Sequence, residues 1–179
     1  MNRRKIFKGF TALLGLSAAP WAFSQSKPTA ANALVLSEAQ WKQKLSPAQF
    51  AILRTEGTER AGSSPLNNEK RKGVYHCAGC DLALFTSEMK FDSGTGWPSF
   101  FQPVDEAHVG RIHDRSYGMV RTEIVCARCQ SHLGHVFPDG PPPTGERHCL
   151  NSVSLAFTPN GEALPDPLQR GGAEAQPAG

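Results

Sequence analysis

The chain has 179 residues, enough for one domain of ordinary size with extensions but not for two large ones. Hydrophobic residues make up 39% and charged residues 20%, which suits a globular core, while 17 Gly and 14 Pro predict a loop-rich fold. The formal charge of +3 sits at one end: Arg3, Arg4, Lys5 and Lys8 lie in an acid-free start of 24 residues, and the 19 − 4 = 15 basic groups left face 16 acidic ones, which argues against nucleic acid as a partner.

Residues 1–24 combine a basic start, an apolar stretch from Gly9 to Phe23 and small residues before a cut ahead of Gln25. This is the layout of an export signal, too short and wrongly flanked for a typical anchor. Asn2-Arg3-Arg4-Lys5-Ile6-Phe7-Lys8 resembles the twin-arginine variant of such signals. The expectation is an exported, periplasmic protein with no stable membrane anchor after cleavage. No cysteine lies near the cut, which disfavours a lipoprotein. Residues 25–36 read as a linker. Ser37 and Ser46-Pro47 predict the caps of two short helices, the second ended by Gly57. After that, short apolar stretches alternate with turn residues: Gly73–Tyr75, Leu82–Phe85, Tyr117–Val125, Val136–Phe137 and Cys149–Phe157. They predict a mainly antiparallel β domain over residues 37–158, with Cys149–Phe157 as one strand of clear period two. Residues 159–179 read as a disordered tail. No apolar run in the body of the chain is as long as a membrane-spanning helix.

Cys77-Ala78-Gly79-Cys80 and Cys126-Ala127-Arg128-Cys129 are both C-x-x-C, separated by 126 − 80 − 1 = 45 residues. Two such knuckles brought together place four thiolates around a tetrahedral ion. Zinc is favoured, as one structural ion, because thiolates are soft and a frame needs no redox chemistry. Iron competes, and so do two disulfides in an exported protein. His132 and His135 continue the spacing after Cys129 as alternative ligands, against the symmetry of the two pairs. Gly79 permits the backbone conformation that a knuckle often needs.

The fifth cysteine, Cys149, follows a stiff Pro- and Gly-rich loop at Pro138–Gly145. On a strand, Arg147, Cys149 and Asn151 share a face. A cation beside a thiol favours the nucleophilic thiolate, and Asn151 can donate and accept beside it. The competing reading is an inert core cysteine. His132 and His135, in Ser131-His132-Leu133-Gly134-His135-Val136-Phe137, suit proton transfer near neutral pH. In a regular strand they face opposite ways, and a bulge at Gly134 would turn both inward. Trp97, with Phe100 and Phe101, is core or the wall of a small apolar pocket.

These segments together resemble the methionine-R-sulfoxide reductase family, the type B enzymes. The resemblance rests on Phe91-Asp92-Ser93-Gly94-Thr95-Gly96-Trp97-Pro98-Ser99-Phe100, His132-Leu133-Gly134-His135-Val136-Phe137-Pro138-Asp139-Gly140 and Gly145-Glu146-Arg147-His148-Cys149-Leu150-Asn151-Ser152, in family order over about residues 37–158. It implies two small antiparallel sheets, with zinc on Cys77, Cys80, Cys126 and Cys129 away from the active centre. It makes Cys149 the nucleophile, with His132, His135 and Asn151 around the sulfoxide oxygen and Trp97 on the methyl group. Arg147 joins Trp97 as a substrate contact. The implied reaction is thiol-dependent reduction of peptide-bound methionine-R-sulfoxide through a cysteine sulfenic acid. Its partners are oxidised proteins or peptides and a thioredoxin-like or small-thiol reductant. Three positions depart from the family pattern: Thr95 stands where many members carry a resolving cysteine, His148 where tyrosine is usual, and Leu150 where a smaller branched residue is common. A zinc-ribbon binding module and a rubredoxin-like iron carrier are the competing classes.

Overall fold

The computed structural model describes residues 33–165, so the export signal, most of the linker and the tail from 166 onward lie outside the described residues. Within the stretch read as linker, Leu34 donates its N–H to the Arg128 carbonyl, and Leu34 and Leu36 pack against the core. At the other end Asn160 donates to the Lys72 carbonyl, just past the last strand.

Both predicted helices form, α1 at Glu38–Lys44 and α2 at Pro47–Leu53. Each begins with a reciprocal capping box, Ser37 with Gln40 and Ser46 with Gln49. A cap of this kind is worth about 1 kcal/mol. Seven-residue helices are not stable alone, so their order comes from docking. Trp41, Leu45, Ile52 and Leu53 are buried, and the Arg54 guanidinium lies 4.6 Å over the Trp41 ring. Gly57 packs back on α2, where a Cβ would stand 2.7 Å from the Ala51 carbonyl oxygen.

The β part is two antiparallel sheets, as expected. The smaller has the order β2 (Ala83–Thr86), β1 (Gly73–Cys77), β9 (Leu155–Pro159). The larger has the order β3 (Lys90–Phe91), β4 (Ser99–Phe100), β8 (Arg147–Leu150), β7 (His132–Phe137), β6 (Arg121–Cys126), β5 (Val109–Asp114). Aromatic contacts join the sheets: Tyr75 of β1 meets Phe100 of β4 edge-on at 5.0 Å, and Phe85 of β2 stacks on Phe100 at 4.5 Å. All three rings are fully buried, a contribution of roughly 1.5–3 kcal/mol each. No helix among the described residues is long and apolar enough to cross a membrane.

Two expectations about strands need correction. Cys149–Phe157 is not one strand. It is β8, a 3₁₀ turn at Ser152–Ser154, and β9, and the two strands belong to different sheets. The sequence alternation continues through the corner but the burial does not follow it, since Leu150, Asn151 and Ser152 are buried in succession. The hydroxyls and amides of Ser152 and Ser154 serve the turn: Ser154 Oγ donates toward Asn151 O at 2.6 Å and lies 3.2 Å from Leu133 O. The Tyr117–Val125 stretch begins with a 3₁₀ turn, and its strand starts at Arg121. Its partner β5 was not predicted, since only Val109 and Ile112 are large and apolar in it.

Candidate active site and metal centre

The two C-x-x-C pairs end strands of different sheets: Cys77 closes β1 and Cys126 closes β6. Each knuckle has the same hydrogen bonding, with Asp81 N–H donating to Cys77 O at 2.8 Å and Gln130 N–H to Cys126 O at 2.9 Å. The residue after each second cysteine takes the left-handed conformation, Asp81 at φ 62° and Gln130 at φ 57°. Gly79 therefore plays a different part from the one expected. It is not among the residues with positive φ, but a Cβ there would meet Leu53 Cδ2 and Ser131 Oγ at 3.3 Å. Glycine eases the close approach of Leu53 and Ser131 at the cluster.

The four buried sulfurs all lie within 4.8 Å of one another, with 3.6 Å between Cys77 and Cys129 and 3.5 Å between Cys80 and Cys126. Tetrahedral bonds of ~2.3 Å from one ion set neighbouring sulfurs ~3.8 Å apart, so the donor set fits a zinc-sized ion. All five cysteines are free, which leaves the disulfide alternative unsupported. Arg54 braces the cluster from α2, donating to Cys129 O at 2.9 Å and Ser131 Oγ at 3.3 Å. The four-cysteine cluster thus joins the two sheets and the end of α2 at one point.

Cys149 lies on β8 between β4 and β7, with Ser99 and His135 as its cross-strand neighbours. Gly134 lets β7 come this close, since a Cβ there would stand 2.1 Å from Cys149 O. The half-buried thiol opens to a cavity of about 150 Å³ lined by Trp97, Phe137, His135, Asn151, Arg121 and Thr58. Thr95 Oγ1 is 3.9 Å from Sγ. Asn151 is buried and already engaged: Oδ1 accepts from Glu59 N–H at 3.0 Å, and Nδ2 donates to Leu133 O at 3.3 Å. Arg147 does not line this cavity. It makes a double hydrogen bond to Asp139, both arms 2.9 Å, and lies 4.4 Å over the Phe137 ring. The Asp139 carboxylate raises the Arg147 pKa, with the charge of the Cys149 sulfur adding to the effect.

The histidines sit on the expected bulge. Val125 pairs with His132 and Ile124 with Gly134, so Leu133 is the extra residue on β7. The two rings come within 5.5 Å. Neither joins the sulfur cluster, because each has a carboxylate of its own. His132 Nδ1 is 2.8 Å from Glu123 Oε1, with both side chains buried, and a carboxylate can only accept, so Nδ1 carries the proton. His132 Nε2 has no hydrogen-bond partner among the described residues. His135 Nε2 is 2.9 Å from Asp114 Oδ2, which Arg121 also holds at 2.6 Å. Asp114 is held below the ordinary carboxylate range by Ser116 first, with His135 and Arg121 contributing. Burial pushes the His135 pKa down, against the pull of Asp114 and with the repulsion of Arg121. Both histidines line a polar cavity of about 500 Å³ that shares Thr58, Arg121 and His135 with the thiol pocket.

The structure adds residues that sequence reasoning missed: Glu59, Asp114, Arg121 and Glu123. Glu123 left a signal, as a charged residue in the apolar run that ends β6, where the strand is buried from Glu123 onward. Glu59 left none. It lies in an irregular loop far from the motifs in sequence.

A family model described as the SelR domain matches residues 45–159. Three known proteins named peptide methionine sulfoxide reductase MsrB are similar to the chain. The one from Pseudomonas entomophila strain L48 is 58% identical over 120 residues, 67% of this chain and 92% of that protein. The one from Bradyrhizobium diazoefficiens is 53% identical over 131 residues, 73% of this chain and 94% of that protein. The one from Xylella fastidiosa is 58% identical over 127 residues, 71% of this chain and 82% of that protein.

Proposed function

The chain belongs to the SelR-domain family of methionine sulfoxide reductases, and on that footing we propose that it reduces peptide-bound methionine-R-sulfoxide to methionine with Cys149 as nucleophile and thiols as the electron source. The observation that carries the residue assignment is the separation of the cysteines. Four are buried together, and Cys149 alone meets a cavity walled by Trp97, Phe137 and polar groups.

The Cys149 thiolate attacks the sulfoxide sulfur as the oxygen takes a proton, and the hydroxyl then passes from the methionine sulfur to the cysteine sulfur, one S–O bond breaking as the other forms. Two electrons pass from the cysteine sulfur to the methionine sulfur. Methionine leaves, and Cys149 retains the oxygen as a sulfenic acid. Two thiols then return Cys149 to the thiol, releasing one water and one disulfide. Trp97 and Phe137 supply an apolar wall for the methyl group. Asn151 has a second amide N–H for the oxygen, since an amide nitrogen carries two and Leu133 takes one. His135 is the proton donor at the pocket. Its lowered pKa makes its imidazolium a stronger acid than an ordinary histidine. His132, held by Glu123, supports it from the larger cavity. Arg147 acts by its charge near the sulfur and by holding Phe137 in the wall, rather than by touching substrate.

Cys77, Cys80, Cys126 and Cys129 hold one zinc, which supplies a structural cross-link and no step of the reaction. Metal analysis should give one zinc per chain and no visible absorption, whereas an iron tetrathiolate is coloured. The Arg3-Arg4 start supports periplasmic export after folding, with the metal already loaded and its thiols shielded from oxidation. Equal metal loading after export in an unfolded state would remove that argument.

The deciding experiment supplies a peptide containing each sulfoxide epimer together with a dithiol and measures methionine. Turnover of the R epimer is expected. Comparable turnover of the S epimer, or none of the R, overturns the assignment.

A further inference from the structure

Three segments that are distant in sequence meet at one acidic residue outside the motif stretches. Glu59 is half-buried between exposed Thr58 and Arg60. Its backbone N–H donates to Asn151 Oδ1 at 3.0 Å, and its carbonyl accepts from the Trp97 indole Nε1 at 3.2 Å. Its carboxylate accepts from Ser152 N–H at 2.5 Å and from Val153 N–H at 3.3 Å. We propose that Glu59 is a positioning residue of the reductase site, holding Trp97 and Asn151 in register with Cys149.

The physical basis is the corner after β8. Where the chain leaves the large sheet at Asn151, Ser152 and Val153 turn their N–H groups away from any strand neighbour. Such donors need a partner, and an ionised carboxylate gives both a charge-assisted one. The same contacts fix the Glu59 backbone, whose N–H and carbonyl face the two side chains that flank the sulfur. The loop has one further tie, Gly62 N–H to Gly96 O at 2.7 Å, beside Trp97. Gly96 makes this approach feasible: its φ is +88°, and a Cβ there would stand 2.9 Å from Ala61 Cβ. Trp97 and Asn151 are thus referenced to one residue, and through β8 to Cys149, two positions before Asn151. Removing the carboxylate would loosen the reference without touching Cys149, the histidines or the metal ligands.

This inference rests on the reductase reading, so its test includes a measurement that does not need turnover. Glu59→Ala, Glu59→Gln, Asn151→Ala and the double variant Glu59→Ala/Asn151→Ala are compared in the full chain for kcat, KM, metal content and exchange of the Trp97 indole N–H by NMR. Glu59→Ala should lower kcat/KM by roughly 10- to 100-fold, the scale of a small misplacement of reacting groups. It should retain its metal and exchange the Trp97 indole N–H faster. Glu59→Gln, which keeps one acceptor, should recover most of the loss, and it decides the matter if the alanine variant fails to fold. The double variant should lose less than the product of the two single losses, because Asn151 is one of the two groups that Glu59 holds. Wild-type turnover and wild-type Trp97 exchange in Glu59→Ala would overturn the proposal, and so would additive losses in the double variant. Faster Trp97 exchange in Glu59→Ala with an inactive wild type would support the positioning and overturn the reductase reading.

Discussion

The molecule uses cysteine in two places under opposite conditions. At the four-cysteine cluster the sulfurs are buried, with cross-knuckle contacts of 3.5 and 3.6 Å, on two turns of the same hydrogen-bond pattern. At Cys149 one half-buried sulfur faces a cavity, with a hydroxyl at 3.9 Å and two histidine–carboxylate pairs set back from it. The side chain is the same, so the surroundings decide the chemistry. Mutual closeness and burial make a donor set that an ion can occupy. Isolation beside a cavity leaves a sulfur that a reactant can reach.

The sharpest way to break this contrast is to remove one sulfur from each place. Cys149→Ser should abolish turnover while the metal stays at one per chain, measured by elemental analysis. Cys129→Ser should lose the metal and lower the melting temperature by roughly 10 °C or more, because metal-binding energy in such a site is also folding energy. Release of metal by Cys149→Ser would mean that the two centres are not separate. A smaller effect should come from Asp114→Asn. Asp114 raises the His135 pKa against burial, so its loss should make the imidazolium give up its proton at lower pH. The alkaline limb of the kcat profile set by His135 should then move to lower pH, and an unmoved limb would remove His135 as the acid. The smallest effect concerns His148, fully buried beside Phe85 with ring centroids 5.7 Å apart. Burial, with the nearby Arg111 charge, lowers its pKa. The unfolded chain therefore takes up a proton that the folded protein refuses between the lowered value and the ordinary one near ~6.5. Stability should fall as pH drops through that window, and His148→Phe should make the fall shallower in melting curves from pH 7 to 5. Equal slopes would show that His148 does not contribute to it.

The two centres also differ in how much of them the sequence reveals. The four clustered cysteines are legible because each knuckle is local, a four-residue pattern that occurs twice. Both helix caps are legible for the same reason. The Gly134 bulge is legible because two histidines three apart make sense on one face only with an extra residue. The reacting site is less so, because it is assembled from distant segments by backbone groups without a sequence signature. Arg147 shares a strand face with Cys149, yet Asp139 takes its guanidinium away from the cavity, and strand alternation carries no information about such a competitor. Asp114 reaches His135 only because β5 pairs with β6, and β5 itself has too few apolar residues to announce a strand. The corner after Asn151 is not legible because Ser152 and Ser154 keep the apolar–polar alternation of a strand where the backbone has turned.

The hydroxyl at position 95 has a consequence for throughput. Thr95 stands beside Cys149, and the other four cysteines of the chain cluster together without it, so on the proposed mechanism recycling falls to an external thiol. On that mechanism each molecule performs one repair and then waits. The waiting time is set by the arrival of an external thiol, so at scarce supply the repair rate follows the concentration of reductant rather than that of damaged protein. The fraction of molecules parked as sulfenic acid then reports how well its surroundings are supplied with electrons, and prolonged parking under peroxide ends in sulfinic acid and loss of the molecule.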